Sequence, residues 1–244
     1  MQQLLAASRV IDRFQSAIGR TAAWLLVPMM LVIIIDVVTR KFGLLIVVKD
    51  FFWDTGMVGA GDFVNTYLTS TKFQELEWHL HAALFLLCMG FGYMKNSHVR
   101  IEIVREKFDL RTKSWLEVIG IVFFIVPYTY LLFRYGFNFA ERSFAMNEVS
   151  SALTGLSHRW IIKSFVPLGM VLLFIAAMGV LLRNLVFLFG PPDLSREAQR
   201  ISPELRLPEE EKTVQPVGTL GPTNVVEVPR AGVSGVPQSK AEES

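Results

Sequence analysis

Four long apolar blocks, at roughly Thr21–Val38, Leu76–Tyr93, Trp115–Phe133 and Ile161–Phe189, set the terms on which this chain can fold, because its charges gather between them. A helix needs about 20 residues to cross a hydrocarbon layer of about 30 Å. Inside that layer only helices and closed barrels satisfy their own backbone groups, and blocks this long and evenly apolar do not alternate as barrel strands do. The expected fold is therefore an all-α membrane protein, with four transmembrane helices and interfacial amphipathic helices. Composition alone leaves the question open, since 52% hydrophobic and 19% charged residues also suit a soluble domain. The clustering decides it.

Residues 1–20 carry Leu4, Leu5, Val10, Ile11, Phe14 and Ile18 at helical spacing with Arg9, Asp12, Arg13 and Arg20 between them. That pattern predicts an amphipathic helix lying along a membrane surface. Basic residues ahead of an apolar block also suit a secretory signal, but this block ends in Asp36-Val-Val-Thr-Arg40 without a small-x-small cleavage pattern, and so reads as an anchor. Asp36 and Arg40, four apart, share one helix face at the membrane exit, as an interfacial pair or a subunit contact. In the loop from Arg40 to Phe73, the Leu44–Val48 and Phe51–Trp53 clusters are too short to span and too apolar for water. They are expected in the headgroup layer or against a partner. Gly56, Gly59 and Gly61 read as a flexible turn; no strand precedes them and no Gly-Lys-Ser/Thr follows, which excludes a phosphate loop.

The second block has unlike ends, with Glu75, Glu77, Trp78, His79 and His81 at its entry and Lys95, His98, Arg100 and Glu102 past its exit. Glu75 with His79 and Glu77 with His81 are i,i+4 pairs, predicting acid–imidazole couples on one helix. A metal site would need third and fourth ligands that no neighbouring motif supplies, so hydrogen bonding and partner contact are the expected roles. Cys88 is the single cysteine, which excludes an internal disulfide. The connector from Lys95 to Lys113 combines six basic residues with apolar ones and predicts a segment on a membrane surface. A short interfacial helix is expected within Gly136–Trp160. Beyond Gly190, eight of the eleven prolines and no apolar period predict a disordered cytoplasmic tail over 190–244, leaving 21–189 as the membrane domain.

Lysines and arginines near the spans number 12 on the side of the termini and 7 on the other, which predicts both termini in the cytoplasm. The net charge of +2 gives no reason to expect a nucleic-acid partner.

The run E-L-E-W-H-L-x-A-x-x-F-L-L from Glu75, H-V-R-I-E-I from His98, R-T-K-x-W-x-E-x-x-G from Arg111, the Pro127-Tyr128 pair, and G-L-x-x-R-W-I-I-K-x-x-x-P-L-G from Gly155 to Gly169 occur in order. Together they resemble the small membrane subunit of the TRAP (tripartite ATP-independent periplasmic) transporters, and the last motif resembles their mannitol/chloroaromatic branch. The resemblance covers about residues 10–190. Cys88 stands where that family often has Gly, and Glu102 where it often has Asp. It implies a non-enzymatic subunit of the bacterial inner membrane that binds a large transport subunit, which carries the sodium and substrate sites. It also implies a periplasmic solute-binding protein that delivers an organic acid or related solute. No cofactor is expected in this chain itself. A four-helix membrane redox anchor for haem or quinone is the alternative, weakened because His79 and His81 share one helix end while His98 and His158 lie elsewhere. A stand-alone channel is disfavoured by the lack of internal repeats and of polar residues at mid-span. Partner-contact candidates are Glu75, Glu77, Trp78, His79, His81, His98, Arg100 and Glu102, with Asp36 and Arg40 beside them.

Overall fold

The computed structural model describes residues 1–97, 108–152 and 154–205 and, among the described residues, shows helices and turns but no strand. Three segments are long and apolar enough to cross a bilayer: Gln2–Phe42, Leu110–Ala145 and Trp160–Phe189. His98, Arg100 and Glu102, most of the basic connector and the tail from residue 206 onward lie outside the described residues.

The first segment is α1 (Gln2–Ala23) and α2 (Leu26–Phe42), joined by a tight turn at Trp24 and Leu25. The surface-lying lead-in is corrected here. Leu5, Ser8, Gln15, Gly19 and Ala22 form the buried stripe of α1, while Val10 and Phe14 are 64% and 47% exposed. The helix turns this stripe to the bundle rather than to a membrane surface: Leu4, Leu5 and Ile11 pack with buried residues of α8 and α9, while Arg9, Arg13 and Arg20 are exposed.

Next come α3 (Leu44–Asp54) and α4 (Val58–Tyr67), packed on each other as a short hairpin. Gly43 ends α2 at φ +61°, and Gly56 turns between α3 and α4 at φ +78°. Gly59 and Gly61 are not part of a flexible turn but lie within α4, where a Cβ on Gly61 would stand 2.0 Å from the Trp53 ring. Helix α5 (Ser70–Met94) follows; its N-cap Thr69 accepts from the Lys72 amide at 3.4 Å. It contains the expected Leu76–Tyr93 span, yet Glu75, Glu77, His79 and His81 make its first half much more polar than the three segments above.

Helix α6 (Leu110–Gly120), a π-helical turn (Ile121–Ile125) and α7 (Val126–Ala145) form one rod. Pro127 explains the wide turn: it has no N–H to donate, and its ring would crowd the carbonyl four residues back in a tight helix. Polar residues from Arg134 onward read as a connector in sequence, but the helix continues through them to Ala145. The interfacial helix expected before Trp160 does not form, and residues 146–152 and 154–159 are turns and irregular backbone.

The pillar is α8 (Trp160–Phe189), which packs against α1, α5, α6 and α7. Ser8 Oγ donates to the Gly179 carbonyl at 3.0 Å and Gln15 Nε2 to that of Leu172 at 2.7 Å, so α1 runs antiparallel to α8. Gly169 faces Leu86, and Met94 packs with Ala176, Ala177 and Val180, so α5 runs parallel to it. Ser114 bonds Asn184 while Phe144 meets Trp160, which makes the α6–α7 rod antiparallel.

The start of the expected disordered tail is ordered. Helix α9 (Pro192–Ile201) and a 3-10 turn (Pro203–Leu205) follow α8, with Ala198, Ser202 and Leu205 buried. Leu194, Ala198 and Ile201 recur at helical spacing and close a cluster with Leu5 and Val186. Pro192 occupies the first helical turn, where its missing N–H costs nothing.

Candidate functional site

At the end of the bundle away from Met1, the first turns of α5 meet the loop between α7 and α8. Glu75 Oε2 accepts from the Leu156 amide at 2.6 Å, and Oε1 accepts from the Ser150 hydroxyl. The loop is closed on itself by the Ser150 amide donating to the Leu156 carbonyl at 3.1 Å, and the Thr69 hydroxyl donates to the Thr154 carbonyl at 3.3 Å. Gly155 is needed for this approach, because a Cβ there would stand 2.8 Å from Glu75 Oε2.

A second layer braces the first. Glu148 pairs with Lys163, whose Nζ lies 3.9 Å from the centre of the Phe139 ring. The Arg159 guanidinium lies 5.5 Å from the Trp78 ring, which packs 4.1 Å from that of His79. Asp36, 1% exposed, accepts from Arg40 Nη2 at 2.5 Å and from Ser70 Oγ at 2.7 Å, tying α2 to the start of α5.

The predicted residues therefore divide. Glu75, Asp36 and Arg40 serve internal ties, and Trp78 and His79 flank the Glu75 knot. The expected acid–imidazole couples do not form: His79 Nδ1 meets the Glu75 carbonyl, while the Glu75 carboxylate is taken by the loop. Glu77 is half-buried and His81 exposed, and among the described residues neither makes a hydrogen bond or ion pair. Ser150, Gly155 and Leu156 had not been singled out as partners of Glu75, which lies 75 to 81 residues away from its two donors. The motif from Gly155 to Gly169 is the signal for Gly155 and Leu156, since it also holds Arg159 and Lys163, while Ser150 lies outside it. Among the described residues no three His, Cys, Asp or Glu side chains converge as a metal would require.

Burial pushes the Glu75 carboxyl up, but the Ser150 and Leu156 hydrogen bonds and the Arg159 charge outweigh it and hold the group below its ordinary value. The hydrogen bond from Lys163 lowers Glu148 likewise. A carboxyl depressed in the fold stabilises it above the unfolded pKa of about 4.3, and that contribution is lost as pH falls through the folded value. Proteolytic protection of residues 146–159 is therefore expected to hold at neutral pH and fall below about pH 4. The loss should be smaller in a Glu75→Gln/Glu148→Gln variant; identical acid profiles for the two proteins would contradict this.

No curated protein and no solved structure matches the chain. A family model described as "Tripartite ATP-independent periplasmic transporters, DctQ component" matches residues 29–187, from α2 through the Glu75 knot to the last turn of α8.

Proposed function

The chain belongs to the DctQ family, the small component of the tripartite ATP-independent periplasmic transporters, and on that premise we propose that it is a non-transporting scaffold for the large membrane subunit. In this reading α1–α2, α5, α6–α7 and α8 are four crossings of a bacterial inner membrane, with both termini in the cytoplasm. The Glu75 knot then lies at the periplasmic edge, where a solute-binding protein would dock. The large subunit would carry the sodium and substrate sites, and the solute would be an organic acid or a related compound. The Gly155–Gly169 motif favours the mannitol/chloroaromatic branch.

One observation carries the proposal: hydrogen-bonding groups inside the bundle are used to join helices rather than to line a passage. Ser8 and Gln15 of α1 each donate to a carbonyl of α8, and the Ser114 hydroxyl of α6 donates to Asn184 Oδ1 of α8. A transport site would instead present ionisable groups or broken helices near mid-membrane. The test is reconstitution in liposomes. Sodium-driven uptake is expected only when this chain, the large subunit and the binding protein are all present, and uptake by this chain alone would overturn the proposal.

The exposed Trp78 and His81, with the half-buried Glu77, are the candidates for partner contact in this role. Charge reversal by Glu77→Lys is expected to cut recovery of the large subunit in a pull-down several-fold. Arg100→Glu is expected to do the same from the cytoplasmic edge. Full recovery with both variants would reduce these residues to orientation signals.

A further inference from the structure

The end of α2, the start of α5 and the α3–α4 hairpin enclose a cup of about 330 Å³ whose lining includes Arg40 and Lys49, the amide side chain of Asn65, and the apolar Ile46 and Leu68. We propose that this cup binds the anionic headgroup of a glycerophospholipid, with the phosphate on Arg40 and Lys49 and an acyl chain leaving over Ile46 and Leu68. The inference goes beyond the scaffold role and needs only that the bundle sits in a bilayer.

Charge comes first. Arg40 is more than half exposed and spends only Nη2 on Asp36, leaving the rest of its guanidinium fork for a phosphate. Both Asp36 oxygens are already engaged, by Arg40 and by Ser70. Lys49 Nζ stands 4.8 Å from the centre of the Trp53 ring and 3.4 Å from Asp50 Oδ1, so it is held at the cup without being enclosed by acids.

Depth comes second. At 11 residues α3 is too short to cross a membrane, yet Ile46 and Phe51 are 62% and 61% exposed. Phe63 and Tyr67 of α4 are likewise exposed. Aliphatic and aromatic side chains shown outward beside lysines place a hairpin in the headgroup layer, with aromatic rings at the boundary. A cup that offers a guanidinium and an ammonium between apolar walls at that depth matches a molecule that is anionic at one end and apolar at the other. A free anion would have no use for the apolar walls.

The experiment uses the full chain, stripped of lipid in a neutral detergent and examined by native mass spectrometry. It is challenged in turn with phosphatidylglycerol, phosphatidylethanolamine and inorganic phosphate. One saturable equivalent of phosphatidylglycerol is expected, held at least tenfold more tightly than phosphatidylethanolamine and not displaced by millimolar phosphate. Arg40→Gln/Lys49→Gln should weaken it about tenfold or more. Lys49→Gln alone, which leaves the Asp36–Arg40–Ser70 tie in place, should weaken it about fivefold. Arg111→Gln/Lys113→Gln, on α6, should leave it unchanged. Equal retention of the two lipids, no effect of Lys49→Gln, or displacement by inorganic phosphate would each overturn the proposal.

Discussion

Replacing Gly90 by valine is expected to destabilise the bundle by about 3 kcal/mol, the upper end of what overpacking usually costs. Gly90 of α5 faces Gln15 of α1 and Leu172 of α8. A Cβ there would stand 2.8 Å from the Leu172 carbonyl oxygen and 2.8 Å from Gln15 Oε1. Neither neighbour yields easily, because one is helix backbone and the other belongs to an amide already tied to the same carbonyl at 2.7 Å. Relief requires moving whole helices, and the two hydrogen bonds that seat α1 on α8 loosen with them. Gly92 supplies the control, since nothing lies within 4 Å of a Cβ added there. Thermal denaturation in detergent should show a large drop for Gly90→Val, a smaller one for Gly90→Ala, and little change for Gly92→Ala. A Gly90→Val protein as stable as the parent would refute the close three-helix contact.

The second large effect is local. Glu75→Ala removes the acceptor of the Leu156 amide and of the Ser150 hydroxyl together. Hydrogen bonds to a charged group contribute about 1.5–3 kcal/mol when sheltered; this carboxylate is only partly buried, so solvent screening reduces the pair to about 1–2 kcal/mol. Residues 150–156 should then exchange their amide hydrogens about tenfold faster while those of α8 change little. Glu75→Gln, which keeps one acceptor oxygen, should fall between. Unchanged exchange at the Leu156 amide in the alanine variant would show that the loop is held by other contacts.

The parts of this architecture that sequence reveals are those where hydrophobicity is continuous. The last block, read as Ile161–Phe189, is the helix Trp160–Phe189, because its apolar residues run through every turn and only Lys163, Ser164, Arg183 and Asn184 interrupt them. Helix ends and helix faces were harder to read. The α7 helix runs past Phe133 to Ala145 because Arg134, Glu141 and Arg142 are good helix formers, and polarity marks the depth of the membrane rather than the end of a helix. The apolar stripe of α1 does not say whether it meets a membrane surface or, as in the fold, the flanks of α5 and α8. Glu75 was legible as important, but its role depended on donors from a loop far along the chain, and no spacing rule reaches so far. The same holds for α9, whose three-residue apolar stripe is too short to stand out among prolines.

The seating of α1 has a consequence for the chain's biogenesis. Ser8 and Gln15 find their acceptors 171 and 157 residues further on. At about 5–20 residues per second of synthesis, the first helix waits on the order of ten seconds for the last to exist. Its buried amide and hydroxyl have no protein carbonyl on α8 to meet during that interval. The order of manufacture is thus the reverse of the order of confinement, and the segment made first is among the last to reach its final place.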